Sequence, residues 1–171
     1  MYPILRFFLC CAFFLFLSFP PLFAQTVSSE KQVKLTTKFD YFSKDQGLEQ
    51  SSVVYVMEDS LGFIWLGTKT GVFRYDGREF KHFTPASSGL SGGYVTTLFI
   101  DSNQNFWVGT ETGLNLYDPK LERFDSFVNR GLADEFIWSV FEDNNRRLWI
   151  GASDGLYFLN QQKQLFEKFN F

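Results

Sequence analysis

Three tryptophans, Trp65, Trp107 and Trp149, stand 42 residues apart, and this period constrains the fold more than any other property of the 171-residue chain. Gly67, Gly109 and Gly151 keep the same step, as do Gly71, Gly113 and Gly155 and the aspartates Asp59, Asp101 and Asp143. Gly-Leu pairs beginning at Gly47, Gly89 and Gly131 add a fifth marker in register. A repeat of roughly 20–50 residues is one supersecondary unit that buries its apolar faces against its neighbours.

Each period reads as four short strands. The first is apolar (Val53 to Glu58, Val95 to Ile100, Ile137 to Glu142), as expected of an innermost strand buried on both faces. The second carries the tryptophan (Phe63 to Thr68, Asn105 to Thr110, Arg147 to Ala152), whose ring is expected to pack between units. A third follows the glycine (Gly71 to Tyr75, Gly113 to Tyr117, Gly155 to Leu159), and a fourth holds the pairs Phe80/Phe83, Phe124/Phe127 and Phe166/Phe169. Gly, Asp, Asn and Pro clusters separate the strands with turn chemistry. Phe80 and Phe124 are 44 residues apart because Asp118 to Glu122 makes a longer turn than Asp76 to Glu79.

Four antiparallel strands in a unit of about 40–45 residues have the size of a propeller blade. The expected fold class is all-β: a β-propeller of three four-stranded blades over residues 47–84, 89–127 and 131–169. An N-terminal segment, 25–46, carries an orphan outer strand around Lys38 to Phe42 that resembles the fourth strands. Propellers close with about four to eight blades, so three leave an incomplete ring. Its outermost faces are expected to expose apolar surface.

Residues 1–24 read as a signal peptide: Arg6 is followed by the greasy run Phe7 to Phe19, then Pro20, Pro21 and the small Ala24. An uncleaved membrane anchor is the alternative, though the run is shorter than the roughly 20 residues a span needs. Both cysteines, Cys10 and Cys11, lie in that run, so the mature chain would hold by packing alone, without disulfides. The net charge of −3 and the lack of any Lys/Arg run leave no footprint for nucleic acid.

The residues Asp59-Ser60-Leu61-Gly62-Phe63-Ile64-Trp65-Leu66-Gly67-Thr68-Lys69-Thr70-Gly71-Val72 resemble the two-component regulator propeller repeat, D-x-x-G-x-[IL]-W-[ILV]-G-T-x-x-G-[LV]. Asp101 to Leu114 and Asp143 to Leu156 repeat it, so the resemblance covers about residues 38 to 169. Gln104 and Arg146 replace the turn glycine Gly62, and Asn103 and Asn145 are expected to take any left-handed position there. Ala152 replaces the threonine of Thr68 and Thr110.

The resemblance implies the periplasmic sensor propeller of a hybrid histidine kinase that responds to oligosaccharides. Its expected partners are the remaining blades and a downstream kinase and phosphorelay, held by an inner-membrane anchor and open to homodimerisation at full length. These 171 residues carry no kinase motif, so the fragment is not expected to be an enzyme. The competing readings are a secreted carbohydrate-active propeller and a scaffold or adhesion propeller.

No catalytic residue, metal site or cofactor is expected. His82, the only histidine, reads as a solvated edge residue, and Asp59, Asp101 and Asp143 read as turn caps. Propeller ligands usually meet the rim bearing the fourth-to-first and second-to-third strand loops. On that rim the candidate ligand-binding residues are Ser52, Lys69, Tyr94, Glu111, Trp138 and Asp154. Two rim positions vary between blades: Ser52/Tyr94/Phe136 and Val54/Thr96/Trp138.

Overall fold

The computed structural model describes residues 42, 47–48, 52–128, 130–132, 135–162 and 164–170. The signal peptide and nearly all of the orphan strand expected at 38–42 lie outside the described residues. The described chain forms twelve strands: β1 (Val53–Glu58), β2 (Ile64–Thr68), β3 (Val72–Tyr75), β4 (Phe80–Phe83), β5 (Val95–Ile100), β6 (Phe106–Thr110), β7 (Gly113–Asp118), β8 (Arg123–Ser126), β9 (Ile137–Glu142), β10 (Leu148–Ala152), β11 (Gly155–Asn160) and β12 (Leu165–Lys168). They make three four-stranded antiparallel sheets, β1 to β4, β5 to β8 and β9 to β12, each an up-and-down meander. The fold is an unclosed propeller, and the one helix among the described residues is the single turn α1 (Pro85–Ser88) between the first two blades.

α1 forms where Thr84 caps it: the Thr84 hydroxyl accepts from Ser87 N while the Ser87 hydroxyl accepts from Thr84 N. Pro85 sits where its missing N–H costs nothing, and Gly89 ends the turn at φ 78°.

The tryptophans do two jobs. Trp65 and Trp107 are 2% and 3% exposed. Trp65 lies 4.6 Å from Phe106 and 4.9 Å from Tyr117 of the next blade, and Trp107 lies 6.3 Å from Phe166 of the third. Burying such a ring removes roughly 200 Å² from water, worth up to about 5 kcal/mol. Each indole also donates to the repeat aspartate of its own blade, Trp65 to Asp59 at 2.7 Å, Trp107 to Asp101 at 2.9 Å and Trp149 to Asp143 at 2.8 Å.

The other carboxylate oxygen caps the β1–β2 type of turn. Asp59 Oδ1 accepts from Leu61 N and Phe63 N, Asp101 Oδ1 from Asn103 N and Asn105 N, and Asp143 Oδ1 from Asn145 N and Arg147 N. The left-handed residue in this turn is fixed by its place. Gly62 takes φ 85°, and in the other two blades Gln104 (φ 65°) and Arg146 (φ 61°) take it themselves. The expectation that Asn103 and Asn145 would do so is corrected. The Asp N–H and side chain clamp both ends of the turn, so strain falls on the position Gly62 marks, whatever residue stands there.

Close approach of backbones explains a second glycine. A Cβ at Gly67 would lie 2.7 Å from Val95 Cγ1 of the next blade, and one at Gly109 would lie 2.8 Å from Ile137 Cγ2. These knobs from the inner strands fill the sockets. At Gly151 the nearest atom belongs to Ser139 of the same blade, and beside it lies a cavity of about 340 Å³ lined by Phe141, Trp149 and Leu156.

Burial of the inner strands follows from this. Only β5, with neighbours on both sides, has the buried character expected of all three: Val95 is 0% and Leu98 1% exposed. Val56 in β1 is 62% exposed, and Trp138 and Phe141 in β9 are 62% and 61% exposed. The expectation of burial on both faces is thus corrected for β1 and β9, which each lack one flanking blade.

Phe42 lies 5.0 Å from Tyr75 and 5.5 Å from Phe80. Phe83 lies 5.8 Å from Tyr117 and 5.7 Å from Phe124 one repeat later. Phe42 therefore holds on the first blade the place that a preceding blade's outer-strand phenylalanine holds on the next.

Candidate functional site

The inner strands lie side by side, β1 beside β5 and β5 beside β9. Each carries a β-bulge at the same repeat position. Pairing skips from Val53 to Tyr55 in β1, from Val95 to Thr97 in β5 and from Ile137 to Ser139 in β9, leaving Val54, Thr96 and Trp138 as the bulged residues. A bulge re-aims one side chain out of the alternating pattern. Thr96 Oγ1 donates to Ile137 O at 2.5 Å, tying one inner strand to the next. Trp138 stands in the same place, exposed.

Two more rings join it. Phe136 lies 4.1 Å from Trp138 and 6.3 Å from Tyr94, which is 37% exposed. Tyr94, Phe136 and Trp138 thus form one aromatic ladder across the second and third blades. Of the candidate residues, the structure brings Tyr94 and Trp138 together through Phe136, whose ring bridges the two blades.

The other candidates are placed on the same rim but differ in what they do. Ser52 and Lys69 are exposed. Glu111 Oε1 accepts from Gly93 N at 3.1 Å and so pins the loop before β5. Its Oε2 and the Thr112 hydroxyl, buried against Gly92, have no hydrogen-bond partner among the described residues. Asp154 accepts from Tyr157 OH at 2.7 Å and from Lys168 Nζ at 2.8 Å. Lys168 and the Tyr157 hydroxyl hold the Asp154 carboxyl below the usual carboxylate range. Burial, with Asp154 beside it, pushes the Tyr157 phenol up to about 12.

A buried polar cluster under the rim belongs to the second blade alone. Asn115, fully buried, donates to Ser91 Oγ and Val108 O and accepts from Ser91 N, and Ser91 Oγ meets Thr110 Oγ1 at 2.9 Å. Phe73 and Tyr157 stand at the matching positions. A polar residue in the run Gly113 to Tyr117 was the available signal.

His82 is half-buried and not the solvated edge residue expected. Its ring stacks on Phe73 at 3.8 Å, and Nε2 lies 3.2 Å from Thr70 O. Among the described residues no group of three His, Cys, Asp or Glu side chains is placed to hold a metal ion. No helix among them is long and apolar enough to cross a membrane.

At the opposite ends of the strands an ionic cluster joins the first two blades. Arg74 donates to Tyr117 OH at 3.1 Å and to Glu122 at 2.9 Å, and Lys81 also bonds Glu122. The longer turn explains the reach. Asp76 N bonds back to Glu79 O at 3.4 Å, whereas Asp118 pairs with Arg123, so the two added residues carry Glu122 out to the first blade. Burial pushes the Tyr117 phenol up.

The comparisons with known proteins agree with this architecture. The family model described as two-component regulator propeller matches residues 89–112 and 131–154. A protein described as histidine kinase P4, from Formosa agariphila, is 37% identical over 60 residues, a stretch that is 35% of this chain and 4% of that protein. The extracellular domain of a hybrid two-component system from B. thetaiotaomicron superposes with a TM-score of 0.61 at 22% identity over 77% of this chain and 18% of that one. The extracellular domain of a one-component system from the same organism gives 0.55 at 24% identity over 62% and 15%. The chain thus spans a small part of the proteins it matches. At these identities the solved structures speak for the fold.

Proposed function

Because the chain carries two-component regulator propeller repeats, we propose that it is the N-terminal part of the ligand-sensing propeller of an exported receptor that signals through a histidine kinase. In this reading residues 1–24 direct export to the periplasm, further blades complete the ring, and the kinase and phosphorelay lie in the remainder of the receptor. The chain itself binds and does not catalyse: its repeat aspartates are spent on turns and indoles. The similarity to extracellular domains of sensor systems and to a histidine kinase supports this assignment.

The ligand we propose is an oligosaccharide, and one observation carries it: the rim ladder Tyr94–Phe136–Trp138, whose indole a bulge turns out of the sheet. Aromatic faces suit the apolar faces of sugar rings, and Ser52 and Lys69 on the same rim offer hydroxyl and ammonium partners. The test is calorimetric titration of the receptor with neutral oligosaccharides, beside Trp138→Ala and Tyr94→Ala. Binding that weakens at least tenfold in Trp138→Ala supports the assignment. Failure of any oligosaccharide to bind, or binding indifferent to both substitutions, refutes it.

A further inference from the structure

The rim is only one end of the blades. At the other end, between the first and second blades, lies a cavity of about 470 Å³ bounded by the Asp59 to Phe63 turn and by Pro119 and Glu122 of the longer turn. That volume is within the range of small-molecule sites. Both blades that form it are complete in the structure, so further blades of the ring leave it open.

The lining of this cavity is not repeated between the second and third blades. Arg74, Phe106 and Tyr117 line it, and the residues one repeat later are Leu116, Leu148 and Leu159. Those three leucines pack into the core between the second and third blades. Between the first two blades a guanidinium and two aromatic rings stand at those positions instead.

The chemistry of the walls selects a ligand. Arg74 is 18% exposed and lies 4.7 Å from the Phe63 ring centroid and 5.6 Å from that of Trp65. A guanidinium has five N–H donors; the bonds to Tyr117 and Glu122 use two. Glu122 and Asp59 balance Arg74 and Lys81 in charge, so no net field draws an ion. The Phe63 face is covered by Arg74, and Trp65 and Phe106 are 2% and 7% exposed, so those three rings offer a sugar little face to stack on. A lining rich in aromatic side chains and spare N–H donors complements a flat aromatic body with one acceptor oxygen.

We propose that this inter-blade cavity is a second ligand site, taking an uncharged aromatic carbonyl compound whose oxygen accepts from Arg74. It is separate from the rim site: it shares no residue with the aromatic ladder, and its test does not depend on sugar binding.

The test titrates the full chain with acetophenone, followed by ligand-observed NMR, with cyclohexyl methyl ketone as a probe of the same shape without the π system. The expected result is saturable one-to-one binding with a Kd on the order of 1 mM for so small a ligand, and at least tenfold weaker binding of the cyclohexyl compound. Two variants bear on it: Arg74→Leu removes the donor, and Leu61→Trp blocks the mouth from an exposed position with no core to disturb. Each should weaken acetophenone at least tenfold, while Trp138→Ala leaves it unchanged. No saturation at roughly twenty times that concentration, equal binding of both ketones, or binding unaltered in Leu61→Trp overturns the proposal.

Discussion

Asp101→Ala isolates the interaction that joins the turn to the core in every blade. Asp101 is 7% exposed and accepts four hydrogen bonds at 2.9 Å, from Asn103 N, Asn105 N, Asn105 Nδ2 and Trp107 Nε1. Truncation leaves the indole N–H of a tryptophan only 3% exposed without an acceptor, a loss of about 1–3 kcal/mol. Asn103 is exposed and Asn105 partly so, and water can replace the carboxylate there. Losing their cap costs about 1 kcal/mol, as at a helix N-terminus. The sum is about 2–4 kcal/mol, a large share of the ~5–15 kcal/mol of a typical domain. Urea unfolding should show the midpoint falling by about 1–2 M with m unchanged. In a Trp107→Phe background no indole N–H faces Asp101, so Asp101→Ala should there cost only the loss of the turn cap. The difference is a coupling of about 1–3 kcal/mol between the two residues. Equal costs in both backgrounds would refute the indole's dependence on this carboxylate.

Three further outcomes follow from the same geometry. Gln104→Gly and Arg146→Gly should each raise stability by about 0.5–1 kcal/mol in urea melts, because both residues hold left-handed φ values that glycine adopts without strain. Gly109→Ala should cost about 1–3 kcal/mol, since its Cβ would meet Ile137 of the next blade and Thr97 at under 3 Å; thermal unfolding reads this directly. Asp154, Asp143 and Glu122 are held below the usual carboxylate range, by Lys168, the Trp149 indole and Lys81 respectively. Their stabilisation is present above the ordinary carboxylate values and is lost as pH falls below about 4. Tyr157 acts in the opposite sense: its contribution is present below pH 10 and is lost as pH rises from 10 toward about 12. The melting temperature should therefore fall on both sides, and Asp154→Asn should diminish the acid-side loss.

The propeller was legible because its markers are invariant requirements of stacking. Trp65 must bury its ring against Phe106, and Gly67 must admit Val95, so the same residue types recur at each period. The turn strain was legible in kind but not in place. Asn tolerates left-handed backbone better than Gln or Arg, yet Asp101 and Asp143 fix both flanks and leave position 104 or 146 no choice. Inner-strand burial was misread because apolar sequence records what a completed ring would cover; Val56 and Phe141 are apolar and exposed. On the rim, the varying residues Tyr94 and Trp138 were visible, but the bulge that re-aims Trp138 and the bridging role of Phe136 are matters of register and packing. The Arg74–Glu122 link was not visible at all. Its two residues are 48 positions apart, and nothing in the spacing says that the longer turn reaches back to the preceding blade.

The central claim, that these blades open a ring which further blades complete, is tested most directly at Trp149. Trp65 and Trp107 are covered by the blade that follows each of them, whereas Trp149 borders an open socket beside Gly151. Oxidative labelling read by mass spectrometry should modify Trp149 much faster than Trp107 in this chain. In a chain extended by one further repeat, the two should label equally slowly. Equal protection of Trp149 and Trp107 in this chain alone would contradict the account.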